Sequence, residues 1–292
     1  MIIPQFVIAG WMEQYDSGQL AEQYPEVNLT KIVQLMSKDR PIVRDICFDG
    51  TTPTEQKIYL ATAGAPCAGK STILEQVMLS NNRYSNLVKV DPDRWGMLYM
   101  LYTYTAYMMG AAMTANAESY KAAQVRAYDV CRPASNILTL EIMNEAVDKG
   151  YSLVHGTTMT GAHVGSLMAN LSEKGYEIDL IICMASDETR AQAAAHRSNV
   201  QGYYQSTPED VREKGILLPQ RMETYFLYAD NLSFFWREDS TSNAVLVAKS
   251  MKGSNLEIID EIGWSMLSSK HNADAESQDV EIKSFEELIA LR

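Results

Sequence analysis

Residues Gly64-Ala65-Pro66-Cys67-Ala68-Gly69-Lys70-Ser71 carry the spacing G-x-x-x-x-G-K-S. Glycines at the two ends let the backbone turn tightly enough to aim successive N–H groups at one anion, and a helix that starts there adds the positive end of its dipole. A lysine and a hydroxyl placed next suit a polyphosphate, because the ammonium reaches the β- and γ-phosphates and the hydroxyl ligates Mg²⁺. The expected nucleotide contacts are therefore Gly64, Ala65, Pro66, Cys67, Ala68, Gly69, Lys70, Ser71 and Thr72, with ATP or GTP as the ligand and Ser71 on the metal. The setting agrees: Ile58-Tyr59-Leu60-Ala61-Thr62-Ala63 reads as a strand before the loop, and Thr72 to Met78 as a helix after it.

Carboxylates come next. Val90-Asp91-Pro92-Asp93-Arg94 closes a second predicted strand, Asn86–Asp91, and in an open parallel sheet ligands gather at the carboxyl ends of strands. A hydroxyl that accepts a phosphoryl group needs a base to orient it and take its proton, which is the role expected of Asp93. Asp91 is expected to support the loop or a magnesium-bound water on the substrate side. His155-Gly156-Thr157-Thr158 ends a third predicted strand, so Thr157 and Thr158 are candidate substrate hydrogen-bonders and His155 a candidate contact for the acceptor or a phosphate. On the predicted helix Asp187–Ser198, Arg190 and Arg197 are seven apart and share a face. Arg197 is expected to neutralise charge developing on the transferred group, and Arg190 to contact the nucleotide. Arg212 and Arg221 are further lid candidates.

The elements that must position these residues alternate. Helical periodicity runs from Ala117 to Lys149, Tyr151–His155 is strand-like, Ala162–Lys174 helical, Glu177–Met184 strand-like, Glu209–Asn231 helical, Ala244–Ala248 strand-like and Leu256–Ser268 helical. β-branched runs alternating with helices predict an α/β fold of the P-loop NTPase or kinase type, a three-layer sandwich with a mostly parallel central sheet and helical additions. Three regions are expected: an N-terminal helical extension over 1–50 with helix-like pieces at Met12–Tyr24 and Leu29–Lys38, a kinase domain over 51–268, and a mobile C-terminal tail over 269–292 with a short helix from Ile282.

Composition narrows the function. The 292 residues are 46% hydrophobic with a net charge of −12, which suits a globular protein and counts against general nucleic-acid binding. Cys47, Cys67, Cys131 and Cys183 have no metal-like spacing and read as reduced thiols of a cytoplasm, either the producing cell's or a target cell's. The N-terminus lacks the pattern of a secretory signal. Trp95–Ala117 carries no charge over a bilayer-spanning length, but its tyrosines, threonines and Gly110 make it weakly apolar, so no membrane span is expected and a buried helix or aromatic pocket wall is.

Together these residues resemble the zeta-toxin kinases, P-loop enzymes similar to the UDP-N-acetylglucosamine kinases and related in fold to polynucleotide kinase and chloramphenicol phosphotransferase. The resemblance rests on the phosphate loop, on Asp91-Pro92-Asp93, on Gly150-Tyr151-Ser152-Leu153-Val154 followed by Gly156-Thr157, on Gly175-Tyr176-Glu177, on His196-Arg197 and on Thr207-Pro208, across Lys57 to Val247. It implies that Asp93 is the substrate-activating base, that Arg197 contacts phosphate, and that the acceptor is the 3′-hydroxyl of UDP-N-acetylglucosamine. It also leaves room for an antitoxin or immunity protein as partner. The chain departs from the family's pattern where His155 stands for a glutamate and Gln205-Ser206 for an arginine, while a further family glutamate falls near Leu140 or Glu141, making Glu141 a substrate candidate. These departures touch substrate and lid positions. The alternatives are an NAD or polynucleotide hydroxyl kinase, and a catalytically inactive nucleotide-binding interaction protein.

Overall fold

A computed structural model describes residues 40–93, 117–200 and 208–292 of the chain. The pieces expected at Met12–Tyr24 and Leu29–Lys38, nearly all of Trp95–Ala117, and the loop residues Gln205, Ser206 and Thr207 lie outside the described residues. In chain order the strands are β1 (Ile58–Ala63), β2 (Val88–Val90), β3 (Leu153–His155), β4 (Glu177–Ala185), β5 (Asn231–Arg237), β6 (Val245–Met251) and β7 (Glu257–Ile258). The helices are α1 (Lys70–Ser80), α2 (Ala117–Asp148), α3 (Val164–Glu173), α4 (Asp187–Val200), α5 (Pro208–Gly215), α6 (Pro219–Tyr228), α7 (Glu261–Glu276) and α8 (Phe285–Ile289). Strands and helices alternate along the chain and neighbouring strands pair in parallel, so the fold is α/β.

The chain divides into two compact units that cut across its serial order. Described residues 56–85, 155–200 and 208–292 form the larger one, and 40–55, 86–93 and 117–154 the smaller. In the larger unit β1, β4, β5, β6 and β7 lie side by side in that order. β1 runs parallel to β4, with Ala63 opposite Ile182, and β4 parallel to β5, with Ala185 opposite Arg237. β6 and β7 are antiparallel additions. Every residue of β1 is buried, as are all of β4 after Glu177, which is why both read as unbroken apolar runs. Helix α1 packs on β1 and β4, α3 on β4, and α7 on β4, β5 and β6. Phe226, Phe234, Trp264 and Phe285 interlock at ring separations of 5.0–6.0 Å in the core beneath α7.

Three expectations change here. The helix expected over Glu209–Asn231 is two helices, since α5 ends at Gly215 and α6 opens with Pro219 at its first position, where a missing N–H costs nothing. Asn231 instead begins β5, which buries Leu232, Phe234 and Trp236 on alternate positions. The final helix starts at Glu261, where Asp260 accepts from the N–H groups of Ile262 and Gly263, and continues to Glu276. Residues 269–276, polar and expected as a connection, are helical because their polar groups find partners: Lys270 pairs with Asp274, and His271 Nε2 lies 3.0 Å from the Lys283 carbonyl. A capping box between Ser284 and Glu287 then starts α8, which buries Phe285 and Leu288.

The smaller unit is built on α2, with Pro133 inside it. Residues 40–48 are helical and pack along α2 through Arg40–Glu141 at 3.1 Å and Arg44–Glu145 at 2.6 Å.

Candidate functional site

In the larger unit, β1 delivers the chain directly into the glycine-rich loop. A Cβ at Gly64 would sit 2.2 Å from the Cys183 carbonyl oxygen, and Gly64 has φ +138°, so no other residue fits there without displacing β4. Gly69 caps α1 at φ +95°, and Cys67 holds the left-handed φ of 63° despite its side chain. Such a conformation is costly for a non-glycine residue and persists only when its surroundings enforce it. Cys67 packs in a buried cluster with Ala193, Ala194 and Val211, from α4 and α5. Lys70 Nζ donates to the Ala65 carbonyl at 2.7 Å, curling its cation over the loop. Ser71 and Thr72 are exposed in the first turn of α1, which has no acidic residue to neutralise its N-terminal dipole. Beneath the loop, burial pushes the Cys183 thiol up to about 12 against the opposing charge of Lys70, so it stays neutral.

The segment after β3 braces this loop. Thr62 Oγ1 donates to the Thr157 carbonyl at 2.7 Å and accepts from the Thr157 N–H at 3.0 Å, while the Gly64 N–H donates to the Thr158 carbonyl at 3.0 Å. Thr157 and Thr158 thus contribute their backbones to the loop's support, with Thr157 Oγ1 accepting from the Met159 N–H and Thr158 Oγ1 meeting Thr160 Oγ1. His155 is 6% exposed, and its Nδ1 lies 2.7 Å from the Tyr59 hydroxyl. The ring expected at an acceptor is held inside the sheet's packing. Met159 adopts φ 55° with its carbonyl accepting from Tyr225 Oη at 2.6 Å.

The two lid arginines part company. Arg190 is 2% exposed, donates to Asp187 and to the Val211 carbonyl, and passes so close to Gly215 that a Cβ there would meet its Nη2. It ties α4 to α5 internally, whereas the sequence reading had it on the nucleotide. Arg197 follows Ala193 by four residues and Ala194 by three, which puts it on the face of α4 that meets Cys67. Sequence reasoning missed Arg237 because it missed β5. Arg237 ends that strand and donates from Nη1 to the Cys67 carbonyl at 3.0 Å.

In the smaller unit, Asp91 is buried and its Oδ1 accepts from the Asp93 N–H at 2.8 Å, shaping the turn. Asp93 Oδ1 meets Arg132 Nε at 2.7 Å and accepts from Tyr128 Oη at 3.2 Å. Ser135 Oγ donates to the Pro92 carbonyl at 2.5 Å. Burial pulls down the pKa of Arg132, but Asp93 and Tyr128 outweigh it and leave it above its ordinary value. Tyr128, Arg132 and Asn136 recur at a spacing of four on α2, and that periodicity was the available signal for the partners of Asp93. Glu141, expected near substrate, pairs with Arg40; burial raises its pKa while Arg40 opposes the shift.

The loop has the cradle a triphosphate needs: left-handed turns at 67 and 69, a glycine where any Cβ would clash, and an uncompensated helix N-terminus. Among the described residues no group of three or more His, Cys, Asp and Glu side chains gathers to hold a metal, and no helix is long and apolar enough to cross a membrane.

A family model described as zeta toxin matches residues 45–216. Among solved structures, the chain is similar to one from the PezAT chromosomal toxin-antitoxin system of Streptococcus pneumoniae, at 13% identity over 84% of this chain and 96% of that one, with a TM-score of 0.54. It is also similar to a structure of AvrRxo1-ORF1:AvrRxo1-ORF2 with sulphate ions, at 12% identity over 90% of this chain and 87% of that one, with a TM-score of 0.50. At such identities the likeness speaks for the fold. No curated protein matches the sequence.

Proposed function

The chain belongs to the zeta toxin family of P-loop phosphotransferases, and from that premise we propose that it transfers the γ-phosphoryl group of ATP or GTP to a hydroxyl of a nucleotide sugar such as UDP-N-acetylglucosamine. The observation that carries this reading is the loop from Gly64 to Ser71, whose backbone has left-handed turns at Cys67 and Gly69 and which opens at the N-terminus of α1.

In this reading the loop amides, Lys70 and the first turn of α1, including Thr72, hold the phosphates. Mg²⁺ at Ser71 supplies charge neutralisation on the phosphate oxygens. The acceptor hydroxyl oxygen forms a bond to the γ-phosphorus as the bond to the β–γ bridging oxygen breaks, and the nucleoside diphosphate leaves with that oxygen. Asp93 takes the hydroxyl proton, held in orientation by Arg132 and Tyr128, and Arg197 meets the charge spread over the transferred group. The PezAT likeness, a toxin-antitoxin system by its description, supports proposing an antitoxin or immunity protein as partner, with the cytoplasm of the producing or a target cell as the site of action.

The burial of His155 against Tyr59 bears on the acceptor, because the family's glutamate position is spent here on internal packing. That favours keeping NAD beside nucleotide sugars as an acceptor, whereas the net charge of −12 disfavours a polynucleotide. The test is incubation with ATP, Mg²⁺ and a panel of nucleotide sugars and dinucleotides, read by mass spectrometry. A gain of one phosphate on one acceptor, lost in Asp93→Asn, is expected. Tight ATP binding with no acceptor phosphorylated would instead establish an inactive binding protein.

A further inference from the structure

Arg237 is a cation whose bonds are all to backbone. Besides Cys67, it donates from Nη2 to the Ser240 carbonyl at 2.5 Å and from Nε to the Ser242 carbonyl at 3.0 Å. The neighbouring Asp239 does not serve as its counterion through a direct bond, since its carboxylate is taken up by Thr241 and by the Ser242 N–H. Among the described residues no carboxylate lies within ion-pair distance of Arg237. Its stem runs under the phosphate loop, with Cδ 3.8 Å from where a Cβ of Gly69 would be. Burial lowers its pKa and the nearby charge of Arg197 adds to this, while Cys67 and the charge of Asp239 act the other way without restoring the ordinary value. A half-buried guanidinium bonded only to neutral carbonyls, with a second guanidinium close by and Asp239 opposing it only through space, is under-compensated.

Physical logic connects this to the loop's strained residue. The left-handed turn at Cys67 turns its carbonyl onto Arg237, and an oxygen so held does not face an anion cradled by the loop's N–H groups. We propose that Arg237 is the positioning residue of the phosphate loop and carries its standing counter-charge, so that the anion which completes its compensation is the polyphosphate of the bound nucleotide. It acts on the phosphates through Cys67 and through space. This rests on the triphosphate reading of the loop given above.

The experiment measures the Kd of the full chain for ATP and for AMP by calorimetry, at low and high salt, for the wild type, Arg237→Met, Arg237→Lys and Lys70→Ala. Arg237→Met is expected to weaken ATP by about 10- to 100-fold and AMP by several-fold less, and to flatten the salt dependence, because the lost attraction scales with phosphate charge. Arg237→Lys keeps the charge without the three-way brace and is expected to fall between. Loss of ATP and AMP binding by the same factor, or an unchanged ATP Kd in Arg237→Met, overturns the inference. Should Arg237→Met fail to fold, Arg237→Lys decides: retained salt-dependent ATP binding supports the counter-charge, and its abolition refutes it. Wild-type ATP binding by Lys70→Ala would bring down the underlying reading instead, so the two failures are separable.

Discussion

Replacing Gly64 by alanine tests the link between sheet register and phosphate loop. The new Cβ would lie 2.2 Å from the Cys183 carbonyl oxygen, roughly 1 Å inside van der Waals contact. The obstacle is backbone of β4, which is hydrogen-bonded on both sides to β1 and β5 and cannot rotate away as a side chain would. Holding alanine at a φ of +138° adds about 1–3 kcal/mol of strain, and the overlap about 1–3 kcal/mol more. A loss of about 2–6 kcal/mol corresponds to a melting temperature lower by roughly 4–24 °C. The matched control is Gly165→Ala in α3, where a Cβ meets nothing within 4 Å and stability should rise by up to about 1 kcal/mol. Thermal melts followed by circular dichroism, with and without ATP, read both effects. Gly64→Ala is also expected to lose the ATP-dependent rise in melting temperature. If it melts within about 2 °C of wild type, a margin below the roughly 2–4 °C per kcal/mol expected of a chain this size, the close-approach argument is wrong.

Other substitutions separate roles that sequence alone confuses. Arg190→Met should cost about 2–3 kcal/mol in urea unfolding, because it strips a buried guanidinium from Val211 and Asp187 while Asp187 keeps Lys270 at 2.9 Å. Unchanged stability with a raised KM for ATP would return Arg190 to the nucleotide. Arg132→Met, which removes the 2.7 Å partner of Asp93, should lower kcat by about 10- to 100-fold with the Kd for ATP intact; an unaltered kcat would remove Arg132 from positioning. Burial lowers the pKa of His271, so the unfolded chain takes up that proton first. Its stabilising effect is complete above the ordinary histidine value of about 6.5 and is lost as the pH falls below it, by at most about 1.4 kcal/mol per pH unit. The drop in melting temperature between pH 7.5 and 5.5 should be smaller in His271→Gln, with His163, shifted the same way by burial, unchanged in both proteins. Equal drops would exclude His271.

Local chemistry explains which elements were readable. The phosphate loop, the apolar strands β1 and β4, and the long helix α2 carry their signals in consecutive residues. β5 hid because Asn231-Leu232-Ser233-Phe234-Phe235-Trp236-Arg237 follows Tyr228 without a glycine or proline to mark a boundary, so the expected helix reached its first residue, Asn231, and no strand was assigned before Ala244. The extension of α7 past Ser268 depends on partners far away in sequence, above all the Lys283 carbonyl that His271 meets. The same holds for Glu141 and His155, whose side chains look available until Arg40 and Tyr59 are placed beside them.

By itself the sequence determined the phosphate cradle and the family, because a loop's backbone geometry depends on which residues tolerate left-handed turns and on a helix starting at once afterwards. Tertiary structure alone decided which charges face outward. Arg190 and Arg197 lie on one helix, yet one is sealed under Gly215 against Val211 and the other lies on the face toward Cys67. Arg237 gained its place by strand register, opposite Ala185 and under Gly69. Charge is a property of a residue, but what it does is set by burial and by the partners that long-range packing supplies.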